Sequence, residues 1–319
     1  MKNFRLSDIF SKPAVGPLLS LLLISIFFAS RTPRFLTAGN FSLILQQVLV
    51  VGTLAIGQTV VILTSGIDLS NGWAMAFGGI TMTTLAVNYN VPPIPAILLG
   101  ILTCTLIGLL NGLLVTYINL PPFIVTLGTL SVAQALTLIT SNAQTITDLP
   151  EAMTFLGTTF KVFGTDITYG TILMLVLFLI SWFVLQYTTL GRQVYAVGDN
   201  PEAARLAGIN TNQVLIGVYM MAGLIYGLAA LLLVARTSVG DPNAGTDGNL
   251  NSITAVVLGG TSLMGGRGNL LGTLVGAIII GVIINGLTLM GIPSIYQMLI
   301  TGILIILAVT VDVLSHRGK

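Results

Sequence analysis

The residue types that do chemistry are scarce in this chain and poorly placed for it. Asp68, in "VILTSGIDLSNGW" (61–73), is the one acid near the interior of an apolar stretch; Asp312 falls at the end of the last such stretch and the sole histidine, His316, in the tail. A carboxylate at the centre of a membrane helix costs about 2.5–3.5 kcal/mol, so Asp68 is expected at a helix break, in a cavity or paired. Gly66 can break the helix, and Asp68, Ser70 or Asn71 can cap the next one. Two readings stay open: a polar break lining a path through a membrane, or a turn between two spans at the cytoplasmic face.

No His/Ser/Asp set, paired carboxylates or metal-ligand spacing occurs at depth, which argues against an enzyme and against a metal site. Cys104 is the only cysteine, which excludes a disulfide and leaves a small buried hydrophobe. "VVLGGTSLMGGRGNLLG" (256–272) superficially resembles a phosphate-cradling loop but lacks its lysine, and the four lysines, Lys2, Lys12, Lys161 and Lys319, complete no such motif. The chain therefore binds no nucleotide and carries no cofactor of its own. An ion-coupled carrier would need intramembrane acids or histidines, and these are nearly absent. What remains is uncharged: Gln58, Thr64, Ser70, Asn71, Asn111, Thr261, Ser262 and Asn285, with Asp68 beside them and Trp73 as an aromatic face. Such groups suit a neutral polar solute in a wet path, or serve as hydrogen-bond glue between helices.

The elements that must position these residues are membrane spans. Of 319 residues 54% are hydrophobic and only 7% charged, against about 25% charged in a soluble domain. Hydropathy and length give about ten spans, near 14–30, 43–64, 72–88, 94–117, 122–141, 169–187, 213–236, 251–264, 270–290 and 295–313. The pieces at 72–88 and 251–264 are short enough to be broken or re-entrant. The basic start "MKNFRLSDIFSKP" invites a signal-peptide reading, but "FFASRTPRF" offers no small-x-small cleavage site, so the first span is read as retained. With both termini cytoplasmic, Lys2, Arg5, Lys12, Arg192, Arg205, Arg267, Arg317 and Lys319 lie inside; Arg31, Arg34, Lys161 and Arg236 lie outside. Eight against four favours this orientation. It makes 188–212 a cytoplasmic loop and 142–168 an external one, within a single transmembrane domain over 1–319. No basic cluster suggests nucleic acid.

"LLGILTCTLIGLLNGLLVTYINLP" (98–121) and "LLGTLVGAIIIGVIINGLTLMGIP" (270–293) match in length, opening and ending, and share Asn-Gly-Leu displaced by two. They run in opposite directions on this topology, which reads as an inverted repeat of about five helices, a transporter architecture. Glycines such as Gly100, Gly108, Gly112, Gly272 and Gly276 are read as points of close helix approach.

One short polar segment stands out, "GDNPEAARLAGIN" (198–210). Asn200 is a good N-cap, Pro201 suits the first helical position, Glu202 complements the positive end of the dipole and Gly208 supplies a left-handed stop. Ala203, Leu206 and Ala207 form a small apolar face on a two-turn helix.

Together "LTSGIDLSNG", "LGRQVYAVGDNPEAARLAGIN", "ITAVVLGGTSLMGGRGNLLGTLVGA" and "YQMLITGILIILAV" resemble the permease subunits of bacterial ribose-type sugar ABC importers, in the right order over roughly 40–313. The resemblance implies an inner-membrane permease that pairs with a second permease, identical or different. It would be driven by cytoplasmic ATPase subunits that bind the ATP, and fed by a periplasmic sugar-binding protein. It also implies that Asn200, Pro201, Glu202, Ala203, Ala204, Arg205, Leu206, Ala207 and Gly208 form the coupling helix seated in the ATPase. Asn71 and Trp73 depart from the family's small residues and would narrow or re-aim the path, so ribose is not carried over as the substrate. A related ABC permease for a nucleoside or another small solute, or an ATPase-independent carrier or channel, remains the competing reading.

Overall fold

The computed structural model of the chain describes residues 15–162 and 164–317. Lys2, Arg5, Lys12 and Lys319, used above to orient the chain, lie outside the described residues, as does the basic segment that raises the signal-peptide question.

Helices α1 (Val15–Arg31), α2 (Ala38–Leu63), α3 (Asn71–Val87), α4 (Pro93–Tyr117) and α5 (Pro122–Ser141) come first. A connection follows with one short helix, α6 (Glu151–Thr154), a 3-10 turn (Phe155–Gly157) and a hairpin of β1 (Thr159–Val162) and β2 (Thr165–Thr168), paired antiparallel with Thr159 opposite Thr168. Then come α7 (Tyr169–Tyr187), α8 (Thr189–Asp199), α9 (Pro201–Leu206), α10 (Thr211–Thr237), α11 (Gly248–Leu258), α12 (Leu270–Leu289) and α13 (Ser294–Arg317). The molecule is thus an all-α membrane protein apart from one small hairpin. Six of the described helices, α2, α4, α5, α7, α10 and α12, are long and apolar enough to cross a membrane.

Those six divide by burial. The most apolar windows of α2, α10 and α12 are 78%, 72% and 72% buried, against 28%, 22% and 28% for α4, α5 and α7. A helix apolar all round is a core helix when other helices surround it, and a rim helix when only lipid does. α4 shows how the two kinds meet. Its buried residues include Ala96, Gly100, Cys104, Gly108 and Gly112, a row of small side chains four residues apart, and that row lets the backbone of α10 come close. A Cβ on Gly108 would collide with the Tyr219 carbonyl, and one on Gly223 with the Cys104 carbonyl. Cys104 acts as one of the small residues, its thiol donating to the Ala74 carbonyl at 3.1 Å.

The connections gather into two groups at opposite ends of the bundle. At one end the turn after α2, the α8–α9 segment and the loop 259–269 bond to one another. At the other, Ser42 donates to the Asp166 carbonyl, Arg236 donates to the Gln46 carbonyl at 2.9 Å, and Ile146 bridges Gly240.

One expectation is corrected and two stretches gain detail. The stretch 188–212, expected as a cytoplasmic loop with a two-turn helix at 200–208, holds that helix and also α8 before it. The span expected at 251–264 begins earlier and ends at Leu258, because Gly259 and Gly260 stop it and Gly260 turns left-handed at φ +84°. Thr261 and Ser262 consequently lie in a loop. The stretch 142–168, expected as an external loop, carries α6 and the hairpin, local structure that hydropathy does not register.

Candidate coupling face and translocation region

α9 forms where its caps dictate. The Asn200 side chain accepts from the Ala203 N–H at 3.0 Å, Pro201 opens the helix and Gly208 ends it at φ +86°. Of its residues only Ala204 is buried. Pro201, Glu202, Ala203, Arg205, Leu206, Ala207 and Gly208 are exposed, and Leu206 is 86% exposed. Ala203, Leu206 and Ala207 therefore make an apolar face turned away from the chain.

α8 is the platform beneath it. Thr188 caps it by accepting from the Gly191 N–H at 3.3 Å, and Gly191, Val194, Val197 and Gly198 are its buried strip. That i, i+3, i+6/i+7 spacing is legible in "TLGRQVYAVGD" as an amphipathic helix, and this signal went unused.

α8 is clasped to the helix break after α2 and to the loop 259–269. The Ser65 hydroxyl lies 2.9 Å from the Gly198 carbonyl and 2.8 Å from that of Met264. The Gly266 N–H donates to the Leu63 carbonyl at 3.0 Å, and the Tyr195 hydroxyl donates to the Gly268 carbonyl at 3.0 Å. Burial raises the Tyr195 pKa above the usual phenol range, so the hydroxyl remains a donor. Gly198 is obligatory here, since a Cβ would run into the Leu63 carbonyl and stand 2.8 Å from the Gly266 nitrogen. Gly265 and Gly266, both left-handed, close the loop around Asp199 and Ser65. The glycine-rich stretch is thus a backbone clasp. Within it Ser262 donates through its N–H to the Arg267 carbonyl at 2.9 Å and accepts from the Met264 N–H at 3.2 Å.

The ten residues singled out for a path are at most 7% exposed. Five of them come together. Asp68 accepts from the Ser70 N–H at 2.8 Å and from its hydroxyl at 2.6 Å, which closes the break into α3. Asn111 donates to the Ser70 hydroxyl at 3.1 Å. Asn71 donates to Gln58 at 2.9 Å and to Ser252 at 2.7 Å. Ser252, absent from the sequence reading, thus ties α11 into the network. The second oxygen of Asp68 and the hydroxyls of Tyr219 and Tyr226 make no well-formed hydrogen bond among the described residues, but both phenols lie near the carboxylate and Tyr226 stands within bonding reach of it. Thr64 caps the end of α2 on the Val61 carbonyl, Trp73 packs in a small cluster with Ala76 and Ala133, and Thr261 and Asn285 stand apart from the network.

A second interruption, residues 238–247, was not singled out by sequence. It runs irregularly along α3: Gly240 abuts Thr83, and Gly245 abuts Gly72 and Trp73. Ten residues of α3 separate those contacts, about 15 Å at 1.5 Å per residue. Asp241, Asn243, Thr246 and Asp247 are exposed along it. The signal was in plain view as "GDPNAGTDGN", but hydropathy files such a stretch as an ordinary surface loop.

Residues 40–309 match the family described as the branched-chain amino acid transport system permease component. The chain is 43% identical to the fructose import permease protein of Rhizobium meliloti over 95% of its own length and 86% of the relative's. It is 41% identical to the ribose import permease protein of Bacillus subtilis, with 93% and 92% covered. It is 34% identical to the galactose/methyl galactoside import permease protein of Haemophilus influenzae, with 94% and 93% covered. The chain belongs to this family of transport permeases.

Proposed function

From that membership we propose that the chain is the membrane-spanning subunit of an ABC importer for a neutral monosaccharide. It sits in the inner membrane with about ten spans in two inverted halves, and both termini face the cytoplasm. It works as one of a pair of permeases, identical or different. A cytoplasmic ATPase binds the ATP on its behalf, and an external binding protein delivers the sugar. It makes and breaks no covalent bond.

The observation that carries this reading is the exposed α9 set on a platform locked to the break after α2 and to loop 259–269. ATP-driven closure of the ATPase would push on the apolar face of Ala203, Leu206 and Ala207, with Glu202 and Arg205 fixing register at the rim. Because Ser65 and the glycine clasp join α8 to the end of α2 and to loop 259–269, the push reaches α3 and α12 without passing through a flexible linker. Two rigid halves rocking about such a junction is alternating access. The near absence of fixed charge in the core favours an uncharged solute over an amino acid.

The test is uptake of labelled ribose, fructose and galactose into proteoliposomes holding the permease with its ATPase and binding protein, comparing wild type with the double variant Glu202→Lys/Ala203→Arg. Uptake should require ATP and vanish in the variant while the permease keeps its melting temperature. Flux without ATP, or flux indifferent to the substitutions, would return the chain to the carrier or channel reading.

A further inference from the structure

A small cavity of about 130 Å³, with polar groups set in a mostly apolar lining, lies between the start of α11, α12 and the first turns of α13. Its polar groups are Asp247, Asn251, Ser294, Gln297 and Thr301, and Leu250, Ile284 and Met298 supply the apolar walls. The Gln297 amide nitrogen is already committed to the Ile292 carbonyl at 2.9 Å and the Thr288 hydroxyl at 3.2 Å, which fixes the group and leaves its oxygen as an acceptor. The Thr301 hydroxyl is held on the Gln297 carbonyl at 2.9 Å. No ion pair involves Asp247 among the described residues, and neither its side chain nor that of Asn251 makes a hydrogen bond with them.

Its position matters as much as its lining. The cavity begins where the irregular segment 238–247 ends, after that segment has descended about 15 Å along α3, half of a hydrocarbon core about 30 Å thick. Irregular polar backbone persists at such depth only when buried in protein or lining water, and Asp247 is exposed. That exposure leaves the opening free of the chain's own atoms, as a water-lined path requires.

We propose that this cavity is a solute subsite of the translocation path, taking the hydroxyl groups of a neutral polyol such as a monosaccharide. A carboxylate, two amides and two hydroxyls can accept and donate to a row of sugar hydroxyls, and Met298 offers a soft wall to the sugar's C–H face. At about 30 Å³ per water the space equals roughly four waters, one side of a sugar ring and no more. Partial enclosure is what a transport site needs, because a solute held on all sides would not leave. The subsite rests on the importer reading above, and it moves the path away from the buried Gln58–Asn71–Ser252 network.

The experiment uses the assembled importer in proteoliposomes. Cys104 is fully buried, so Asn251→Cys and Thr301→Cys report on a quiet background when treated with a water-soluble, membrane-impermeant thiol reagent. The exposed Thr159→Cys on β1 is the control. Labelling of the two cavity positions should fall severalfold when the transported member of the ribose, fructose and galactose panel is cycled through with binding protein and ATP, and stay unchanged with a sugar that is not transported; the control should ignore both. Cavity positions that never label, or that label at a rate indifferent to the transported sugar, overturn the subsite. If wild-type uptake in the same vesicles still depends on ATP, that failure leaves the importer reading standing; uptake without ATP defeats the importer reading whatever the labelling. Should a cysteine variant fail to assemble, Gln297→Ala serves instead. It is expected to lower sugar uptake per ATP hydrolysed, and an unchanged ratio counts against the subsite.

Discussion

The helical core is interrupted twice, after α2 at residues 64–70 and after α10 at residues 238–247, and the two interruptions treat their polar groups in opposite ways. The first is dry. Asp68, Ser70 and Asn71 are fully buried, and each bonds to a neighbour in the network that joins α2, α3, α4 and α11. The second, wet on the proposed reading, leaves Asp241, Asn243, Thr246 and Asp247 exposed. The two meet where Gly72 packs on Gly245. A dry break tied by bonds across four helices resists rearrangement at its paired atoms, although Gln58, Asp68, Asn71 and Asn111 each keep one buried polar atom unpaired. A wet one can exchange protein contacts for water or solute at little cost. On the proposed reading, the first break carries motion and the second passage.

The largest expected effect comes from jamming the dry side. Gly198→Val would place side-chain atoms into the Leu63 carbonyl and the Gly266 nitrogen, so α8 cannot seat. Overpacking of this kind typically costs about 1–3 kcal/mol, more where the obstacle is backbone. The melting temperature of the purified permease should drop, and ATP-driven uptake should be lost. A variant with wild-type stability and uptake would mean that the clasp is dispensable.

Next is Asn71→Ala, which leaves the Gln58 oxygen and the Ser252 hydroxyl without their donor at zero exposure. Each buried polar group left unpaired costs about 1–3 kcal/mol. Thermal unfolding in detergent should report a loss in that range, and Ser252→Ala made in the same background should cost less than it does alone, since the two residues share one interaction. Additive losses would contradict the network.

Smaller still is the pair Ser65→Ala and Tyr195→Phe. Each removes one hydroxyl, worth about 1 kcal/mol, so folding should survive. The informative readout is the ratio of sugar taken up to ATP hydrolysed, expected to fall while binding-protein-stimulated hydrolysis persists. Ser65→Thr, which restores a hydroxyl, should recover part of the ratio. A proportional fall of both rates would mean that the hydroxyls only stabilise the fold.

Hydropathy and caps made much of the scaffold readable from sequence. The boundaries of α4, α5 and α7 follow from where long apolar runs meet Pro93, Pro122 and Thr188, and α9 follows from Asn200 and Gly208 because a cap is a local event between residues three or four apart. α8 hid because its buried strip is short and its composition polar, so a hydropathy window passes over it. The wet break hid for a different reason. Nothing within "GDPNAGTDGN" says that it lies along α3, since that placement depends on Gly72 and Gly245, remote in sequence, fitting together. The ten path residues were chosen as polar types within apolar runs, a criterion that also selects glue, and burial with mutual bonding is what separates the two. Ser252, one turn into an 11-residue helix, is the member of the network that such a filter loses.

The smallest expected effect tests the wet side of the comparison. Thr246 is exposed, and its hydroxyl bonds only within its own turn, to the Asn243 carbonyl at 2.8 Å. Water can replace that bond, so Thr246→Ala should change unfolding free energy by no more than about 0.5 kcal/mol, as exposed substitutions generally do. Thermal melts of Thr246→Ala and Asn71→Ala measured side by side place the two breaks on one scale. If Thr246→Ala melts as early as Asn71→Ala, segment 238–247 is part of the rigid frame, and a path that depends on its freedom to trade contacts with water or sugar cannot lie there. If it melts with the wild type, the molecule carries its rigidity in one break and its plasticity in the other, the arrangement that lets a push on α8 be felt beside a site from which a solute can still depart.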